Sequence, residues 1–282
     1  MRPKLSISVL LPASLVNDAS DLRQKTIKIG SVGRALAIFR VEQVCIYNDD
    51  DPYVKNQTVE TKLITTLLQY METPQYLRKL LFKRIPELRY AGLLPPLRTP
   101  NHPLEGEKDK PGDCREGVII ETHGDQSLLE IGLPERATIN EKLRVGQRLT
   151  VRLGKRTGGR IPATPVTRAE VPEYWGYEVL QAKTLRESLK VLKADYSIGT
   201  SRRGQNLYEA AQAIKSSNPR SMAVAFGGPY AGLFEICERQ GVDAQELFDV
   251  VINTIPSQGT ATVRTEEALV ATLALLNLLT RG

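Results

Sequence analysis

A chain of 282 residues, 41% of them hydrophobic and 25% charged, has the composition of a soluble folded protein with one or two domains. Its formal net charge of +6 favours a polyanionic partner or surface and carries no information about fold. Three scattered cysteines (Cys45, Cys114, Cys237) without a C-x-x-C pair, and two histidines, argue against a structural zinc site and fit a reducing cytosol.

The start, "MRPKLSISVLLPAS", superficially resembles a signal peptide, but Ser6, Ser8 and Pro12 interrupt the apolar run and it reads as a buried strand over Ser6–Leu11. "DLRQKTIKIGSVGRALAIFR" carries apolar residues at helical spacing, and "VEQVCIYND" follows as a strand. The Asp49–Asp51 turn that closes it reads as a solvated loop rather than a metal site. Val59–Met71 and Pro74–Leu81 read as helices, so this part predicts an α/β layered domain with a largely parallel sheet. From Leu93 to about Arg168 no helix is predicted; "EGVIIETHG", "SLLEIGLPE" and "QRLTVRLGK" are short alternating runs separated by turns, as in a small all-β barrel or sandwich. Beyond that the alternation resumes: a helix over Leu185–Leu192, a strand end at "ADYSIGT", a helix over Asn206–Ile214, a strand in "RSMAVAFGG", a helix in "GLFEICERQG", a strand in "LFDVVINTI" and a last helix over Glu266–Leu279. The expected organisation is an α/β domain in two parts, 1–92 and 170–282, with a β domain inserted at 93–169. The longest apolar stretch, Ala268–Leu279, is too short to span a bilayer, which predicts a cytoplasmic protein without a membrane partner.

Two loops at strand ends carry ligand-gripping residue types. In "AFGGPYAGL", Gly227, Gly228 and Gly232 let backbone approach a ligand closely and Pro229 sets the turn. In "INTIPSQGTATVRT", Pro256 and Gly259 shape a loop too polar to bury without partners. Either loop alone is also common as a bare connection. No phosphate-binding Walker motif is present, because "GKRTGGR" lacks the terminal Lys-Ser/Thr pair, and no G-x-G-x-x-G follows the first strand. Thr265 reads as the N-cap of the last helix, with Glu266 and Glu267 in its first turn, where they would repel a phosphate. A neutral or cationic ligand is favoured, and S-adenosylmethionine, a sulfonium without phosphate, satisfies that constraint.

"AFGGPYAGL", "NTIPSQGTATVRTEEAL" and the N-terminal "KIGSVGRALAIFRVEQVCIY" together resemble the motifs of the SPOUT superfamily of trefoil-knotted RNA methyltransferases. The order of motifs and the β insert resemble in particular the RNA uridine-N3 methyltransferases, whose SPOUT domain carries an inserted OB-like barrel. The resemblance covers essentially the whole chain. It implies an α/β SPOUT domain with a C-terminal trefoil knot, a homodimer formed through the knotted regions, and S-adenosylmethionine as cofactor. Carried over by position, Gly227, Gly228, Pro229 and Gly232 shape one wall of the cofactor cleft. Asn253, Thr254, Ile255, Pro256, Gln258 and Gly259 grip adenine and ribose, Thr262 and Val263 lie nearby, and Thr200 is a further candidate. Thr262-Val263-Arg264-Thr265 departs from the segment of the ribose-methylating branch and leans toward a base nitrogen.

Arg34, four residues after Gly30, is the candidate catalytic residue, in positioning and electrostatics, since an arginine is not deprotonated. A surface ion pair is its alternative role. No histidine lies near either loop, and the proton acceptor stays unassigned. For RNA (rRNA or tRNA), "KLRVGQRLTVRLGKRTGGR" presents Arg148 and Arg152 on the polar face of a strand and extends the charge through Lys155, Arg156 and Arg160. Arg202 and Arg203 of "SRRG", with "RKLLFKR" at Arg78–Arg84, can add to the patch; a solvated strand face is the plain alternative. Trp175 either stacks a base or anchors the return from the insert. A non-catalytic RNA-binding or assembly protein, a ribose 2′-O-methyltransferase and a nucleotide-dependent oxidoreductase are the competing readings.

Overall fold

The computed structural model describes residues 5–103 and 109–281. In chain order its elements are β1 (Ser6–Pro12), α1 (Leu22–Ile38), β2 (Val41–Tyr47), α2 (Gln57–Glu72), α3 (Gln75–Leu81), β3 (Cys114–His123), β4 (Gln126–Glu130), β5 (Ala137–Ile139), β6 (Arg148–Leu153) and β7 (Ile161–Val166). They continue with β8 (Glu178–Ala182), α4 (Leu185–Leu192), β9 (Tyr196–Asn206), α5 (Leu207–Ser217), β10 (Ser221–Ala225), α6 (Leu233–Arg239), α7 (Ala244–Leu247), β11 (Val250–Asn253) and α8 (Thr265–Arg281). Two compact units result, one from Met1–Gln69, Glu87–Pro95 and Tyr177–Gly282, the other from Tyr70–Pro86 and Pro96–Gly176. The second extends beyond the 93–169 segment read from the sequence, because Glu72 and Tyr76 are bonded to Arg148 and Glu116. No helix among the described residues is long and apolar enough to cross a membrane.

The first unit is built on a six-stranded sheet in the order β11-β9-β10-β1-β2-β8, with every pairing parallel. β1 is central and its run Ile7–Leu11 is buried, as a strand covered on both faces requires. Asp21 caps α1, accepting the Gln24 N–H at 2.8 Å, and the face carrying Ile29, Val32 and Leu36 is buried. On the other side, Leu10, Cys45, Ala223 and Ala225 pack with Leu185, Leu233, Ile236 and Phe248. Burial pushes the Cys45 thiol up to about 12 and Cys237 up to about 11, so both behave as small apolar residues. β8 escapes the sequence reading because it is short and, at the sheet edge, has no fully buried residue.

One expectation for this unit changes. Asp49 and Asp51 are buried rather than solvated: Asp49 Oδ1 accepts the Ser14 N–H at 3.1 Å, and Asp51 pairs with Arg239 at 3.3 Å. These carboxylates hold the ends of β1 and β2 in place, so they serve protein donors instead of water. α8 buries Thr265, Leu269, Thr272, Leu273 and Leu276, while Val270 and Leu278 on its other faces are exposed.

In the second unit β3-β4-β5-β7-β6 form a closed barrel around Ile119, Leu129, Ile131, Val151 and Leu153. β5 is three residues long, and β7 contains Pro162 and Pro165, which read as breakers in sequence. Pro162 still joins the barrel's hydrogen bonding through its carbonyl, which accepts the Gly154 N–H at 2.7 Å. An ionic network lies beside the barrel. Arg148 bonds Glu116 at 2.7 Å and Glu72 at 2.8 Å, Arg168 bonds Glu72 at 2.7 Å, and Trp175 Nε1–H donates to Glu116 at 2.6 Å. Burial pushes the Glu116 carboxyl up, but Arg148, Thr150 and Arg168 outweigh it and hold the group below its usual range. Burial prevails at Glu72 and raises it, against the same two arginines.

Candidate active site

The carboxyl ends of β9, β10 and β11 open into a cleft of about 340 Å³, within the range of small-molecule sites and at the sheet edge where ligands bind in parallel α/β folds. Its walls come from three segments. One is an interruption of β9: Gly199 pairs with Val251 and Gln205 with Ile252, so residues 200–204 stand outside the ladder. The interruption returns at Gly204, where a Cβ would lie 2.5 Å from the Ile252 carbonyl carbon, too close for any other residue. Thr200 Oγ1 donates to the Ala225 carbonyl at 2.8 Å, fastening one end to β10.

The second wall is the β10–α6 loop. Gly228 N–H donates to the Ala231 carbonyl at 2.8 Å, closing a tight turn around Pro229 and Tyr230. A Cβ on Gly228 would lie 2.2 Å from Ser14 Oγ, a buried side chain that has no room to yield. Beneath the loop, Tyr47 donates its hydroxyl to the Phe226 carbonyl at 2.6 Å, and burial keeps that phenol protonated. Burial also raises the Asp49 carboxyl against the lowering effect of its bonds to Ser14.

The third wall is the β11–α8 loop. Asn253 Nδ2 donates to the Arg202 carbonyl at 3.0 Å while its Oδ1 accepts the Ile255 N–H at 2.9 Å, locking the turn. Ser257 takes a left-handed φ of 54°. Gln258 donates to the Thr260 carbonyl at 2.9 Å, folding the loop onto itself. Thr254 and Thr272 share a hydroxyl hydrogen bond of 2.8 Å that ties the loop to α8. Thr265 differs from its expected role as N-cap. It is the first residue of α8, and its hydroxyl donates instead to the Gly227 carbonyl at 2.9 Å, joining the second and third walls. Glu267 reaches back to accept the Arg264 N–H at 2.9 Å, and Glu266 pairs with Lys28 at 3.0 Å. The positive end of α8 is therefore already served by carboxylates of the protein, and Glu266 carries a counter-ion.

Thr200, Gly227, Gly228, Pro229, Gly232, Asn253, Thr254, Ile255, Gln258, Thr262 and Val263 all line this cleft. Pro256 and Gly259 do not; they shape the loop behind it. Arg202 and Arg203, expected on an RNA-binding patch, line the same cleft. Arg203 pairs with Glu235 at 2.8 Å and lies 4.6 Å from the Phe234 ring centre, so its charge is held at the rim. Arg34 is half-buried on α1 and is not among the lining residues. Phe226, Tyr230, Glu235 and Thr272 are among the further lining residues; Tyr230 lies inside the quoted Gly-Pro loop, and only the fold brings Thr272 to it. No histidine lines the cleft.

In the barrel unit Arg148, expected to face outward toward phosphates, is half-buried and paired with Glu72 and Glu116. Two carboxylates already satisfy its guanidinium. Trp175 is buried with its N–H committed to Glu116 and has no face to offer a base. Arg152, Lys155, Arg156 and Arg160 remain exposed, with Arg156 3.5 Å from Glu135. They form a short basic run on β6 and the turn Thr157–Arg160 that follows it.

Comparison with known proteins agrees with this arrangement. The family model described as "Putative RNA methyltransferase" matches residues 6–276. A 28S rRNA (uridine-N(3))-methyltransferase of Homo sapiens is 32% identical in an alignment 300 positions long that covers 96% of this chain and 77% of that protein. Its counterpart in Mus musculus is also 32% identical, over 96% of this chain and 76% of its own. An uncharacterized protein of Haloarcula marismortui is 34% identical over 97% of this chain and 99% of its own length. A match across nearly the whole length includes both units and all three walls of the cleft, and the chain belongs to the RNA methyltransferase family.

Proposed function

We propose that this RNA methyltransferase takes its methyl group from S-adenosylmethionine bound in the cleft at β9–β11 and places it on N3 of a uridine in ribosomal RNA. The observation that carries the donor assignment is the convergence of the two glycine- and proline-bearing loops on one cleft whose charged lining residues, among the described residues, are Arg202, Arg203 and Glu235. Arg203 is paired there, and the α8 terminus is closed by Glu267, so that helix end is not arranged for a phosphate. The backbone around Gly227–Gly228 and Ile255–Gln258 would hold the adenosine, with Thr200, Thr262 and Val263 beside it. Bound there, S-adenosylmethionine supplies an electrophilic methyl on a sulfonium, and the protein's task is to align the nucleophile and exclude water. The uridine assignment follows the names of the relatives and the Thr262–Thr265 segment.

The same reading carries three structural proposals. The barrel is an OB-like RNA-binding module that presents Arg152, Lys155, Arg156 and Arg160 to phosphates. The C-terminal segment is threaded as a trefoil knot. The protein is a homodimer, for which the exposed Ile27 and Ile38 of α1 and Val270 and Leu278 of α8 are available apolar surface on two helices that pack together. Arg34 acts by positioning and electrostatics. Calorimetry with S-adenosylmethionine and its demethylated product tests the donor site, and absence of binding refutes it. Incubation with labelled donor and total RNA followed by nucleoside analysis should yield 3-methyluridine. A 2′-O-methyl product would replace the base-nitrogen assignment, and donor binding without any methylated product would favour a non-catalytic RNA-binding role.

A further inference from the structure

A second cavity lies beside the donor cleft, in the same unit, lined by Asn17, Tyr53, Lys55, Asn56, Val59 and Glu60. Tyr230 divides the two. Its ring lines the donor cleft and stands 5.4 Å from that of Tyr53, tilted by 56°, and its hydroxyl donates to the Asn17 carbonyl at 2.8 Å. Tyr53 is 72% exposed, although an aromatic ring in a folded protein ordinarily buries its faces. The tilt leaves a face of Tyr53 uncovered by Tyr230. Lys55 is exposed two residues away. Among the described residues its ammonium makes no ion pair, and Asn17 Oδ1, at the inner end, has no partner. An open aromatic face beside a free cation and a polar end is the arrangement that binds single-stranded nucleic acid, by stacking a base and holding its phosphate.

We infer that this cavity seats an RNA nucleobase on Tyr53 with its phosphate at Lys55, and that the base belongs to the nucleotide next to the one methylated. The neighbouring position follows from geometry. Methyl transfer needs the accepting nitrogen within about 3–3.5 Å of the methyl carbon, in line with it. A base on the far side of the Tyr230 ring is outside that reach, whereas an adjacent nucleotide of the same strand is not constrained by it. The inference rests on the donor reading of the first cleft only for which nucleotide is held; the stacking site stands on Tyr53, Lys55 and an RNA substrate.

The test uses the full-length protein and a fluorescein-labelled oligouridylate carrying one 5-iodouridine. Irradiation should crosslink the RNA to the peptide containing Tyr53. In anisotropy titrations Tyr53→Ala should raise the Kd roughly 5- to 150-fold, the range set by loss of one base stack, and Tyr53→Phe should restore binding. Lys55→Ala should weaken binding and lower its salt dependence. Because Tyr53 is exposed, its removal leaves the fold intact, and calorimetry with S-adenosylhomocysteine should give the same donor-site affinity in the variants. Crosslinking confined to other peptides, unchanged RNA affinity in Tyr53→Ala, or no binding of the oligouridylate by the unmodified protein overturns the inference. Failure of S-adenosylhomocysteine to bind, with Tyr53 still crosslinked, would instead refute the donor site alone.

Discussion

Lowering the pH from 6.5 to 5 should destabilise the barrel unit through one residue, His102. Its Nε2 is 2.7 Å from the Glu72 carbonyl, a contact that requires an N–H donor and is met by the neutral ring. Burial pushes its pKa down from the ordinary 6.5 to about 4, with Arg78 and Arg148 adding to the shift against the favourable Glu72 bond. Between these values the unfolded chain binds a proton that the folded protein refuses, so stability is complete above pH 6.5 and declines as pH falls toward 4. For pKa values of 6.5 and about 4, the loss is about 2 kcal/mol at pH 5 and about 3 kcal/mol at pH 4. The upper part of this window lies above the range in which ordinary carboxylates titrate. Trp175 is the chain's single tryptophan and lies in the same unit, so its fluorescence follows that unit specifically during urea denaturation. His102→Gln keeps an N–H donor and removes the titration. Its urea midpoint should change less than that of the unmodified protein between pH 7 and pH 5. Parallel pH profiles for the two proteins would refute the argument.

Further outcomes follow from the site and its supports. Gly204→Ala forces a methyl group against the Ile252 backbone, which no side-chain rotation relieves; it should cost about 1–3 kcal/mol in thermal denaturation and weaken S-adenosylhomocysteine binding in calorimetry. Asp49→Asn keeps the acceptor for the Ser14 N–H and removes a buried charge whose pKa is raised, so it should raise the thermal midpoint at pH 7, with the gain vanishing as pH falls below the ordinary carboxylate value of 3.8. Arg148→Ala should destabilise the barrel unit by about 3–5 kcal/mol in urea, because Glu72 and Glu116 lose their shared partner. The pair Lys155→Ala and Arg160→Ala should leave stability unchanged but reduce the slope of log affinity for single-stranded RNA against log salt by about 1.4, or about 0.7 for each phosphate that is no longer neutralised. Arg34→Ala should abolish methyl transfer with donor binding retained, and unchanged turnover would remove Arg34 from the mechanism.

Most of the first unit was legible because its strands are continuous apolar runs and its helices carry an apolar stripe, patterns that burial on one or both faces imposes. What escaped is where that rule fails. β8 lies at a sheet edge without a fully buried residue, β5 is three residues long, and β7 carries two prolines, so none shows a periodic signal. Cleft residues in the glycine- and proline-rich loops were also readable, since such loops declare their backbone requirements in residue type. Thr265 and Asp49 were misjudged for one reason: local sequence suggested a local partner, an N-cap for one and water for the other. The partners are Gly227 and Ser14, separated from them by 38 and 35 residues.

By itself the sequence determined the α/β alternation with a β insert, the two glycine- and proline-bearing loops and the family, because each depends on residue types within short windows. Tertiary structure alone decided which cations are free. Arg148 and Arg152 look alike as alternate residues on one strand, yet Arg148 is neutralised by Glu72, 76 residues away, while Arg152 stays exposed. It also decided that Tyr53 and Tyr230 meet beside the cleft, since contacts between distant segments depend on how the strands are ordered in the sheet and not on local residue pattern.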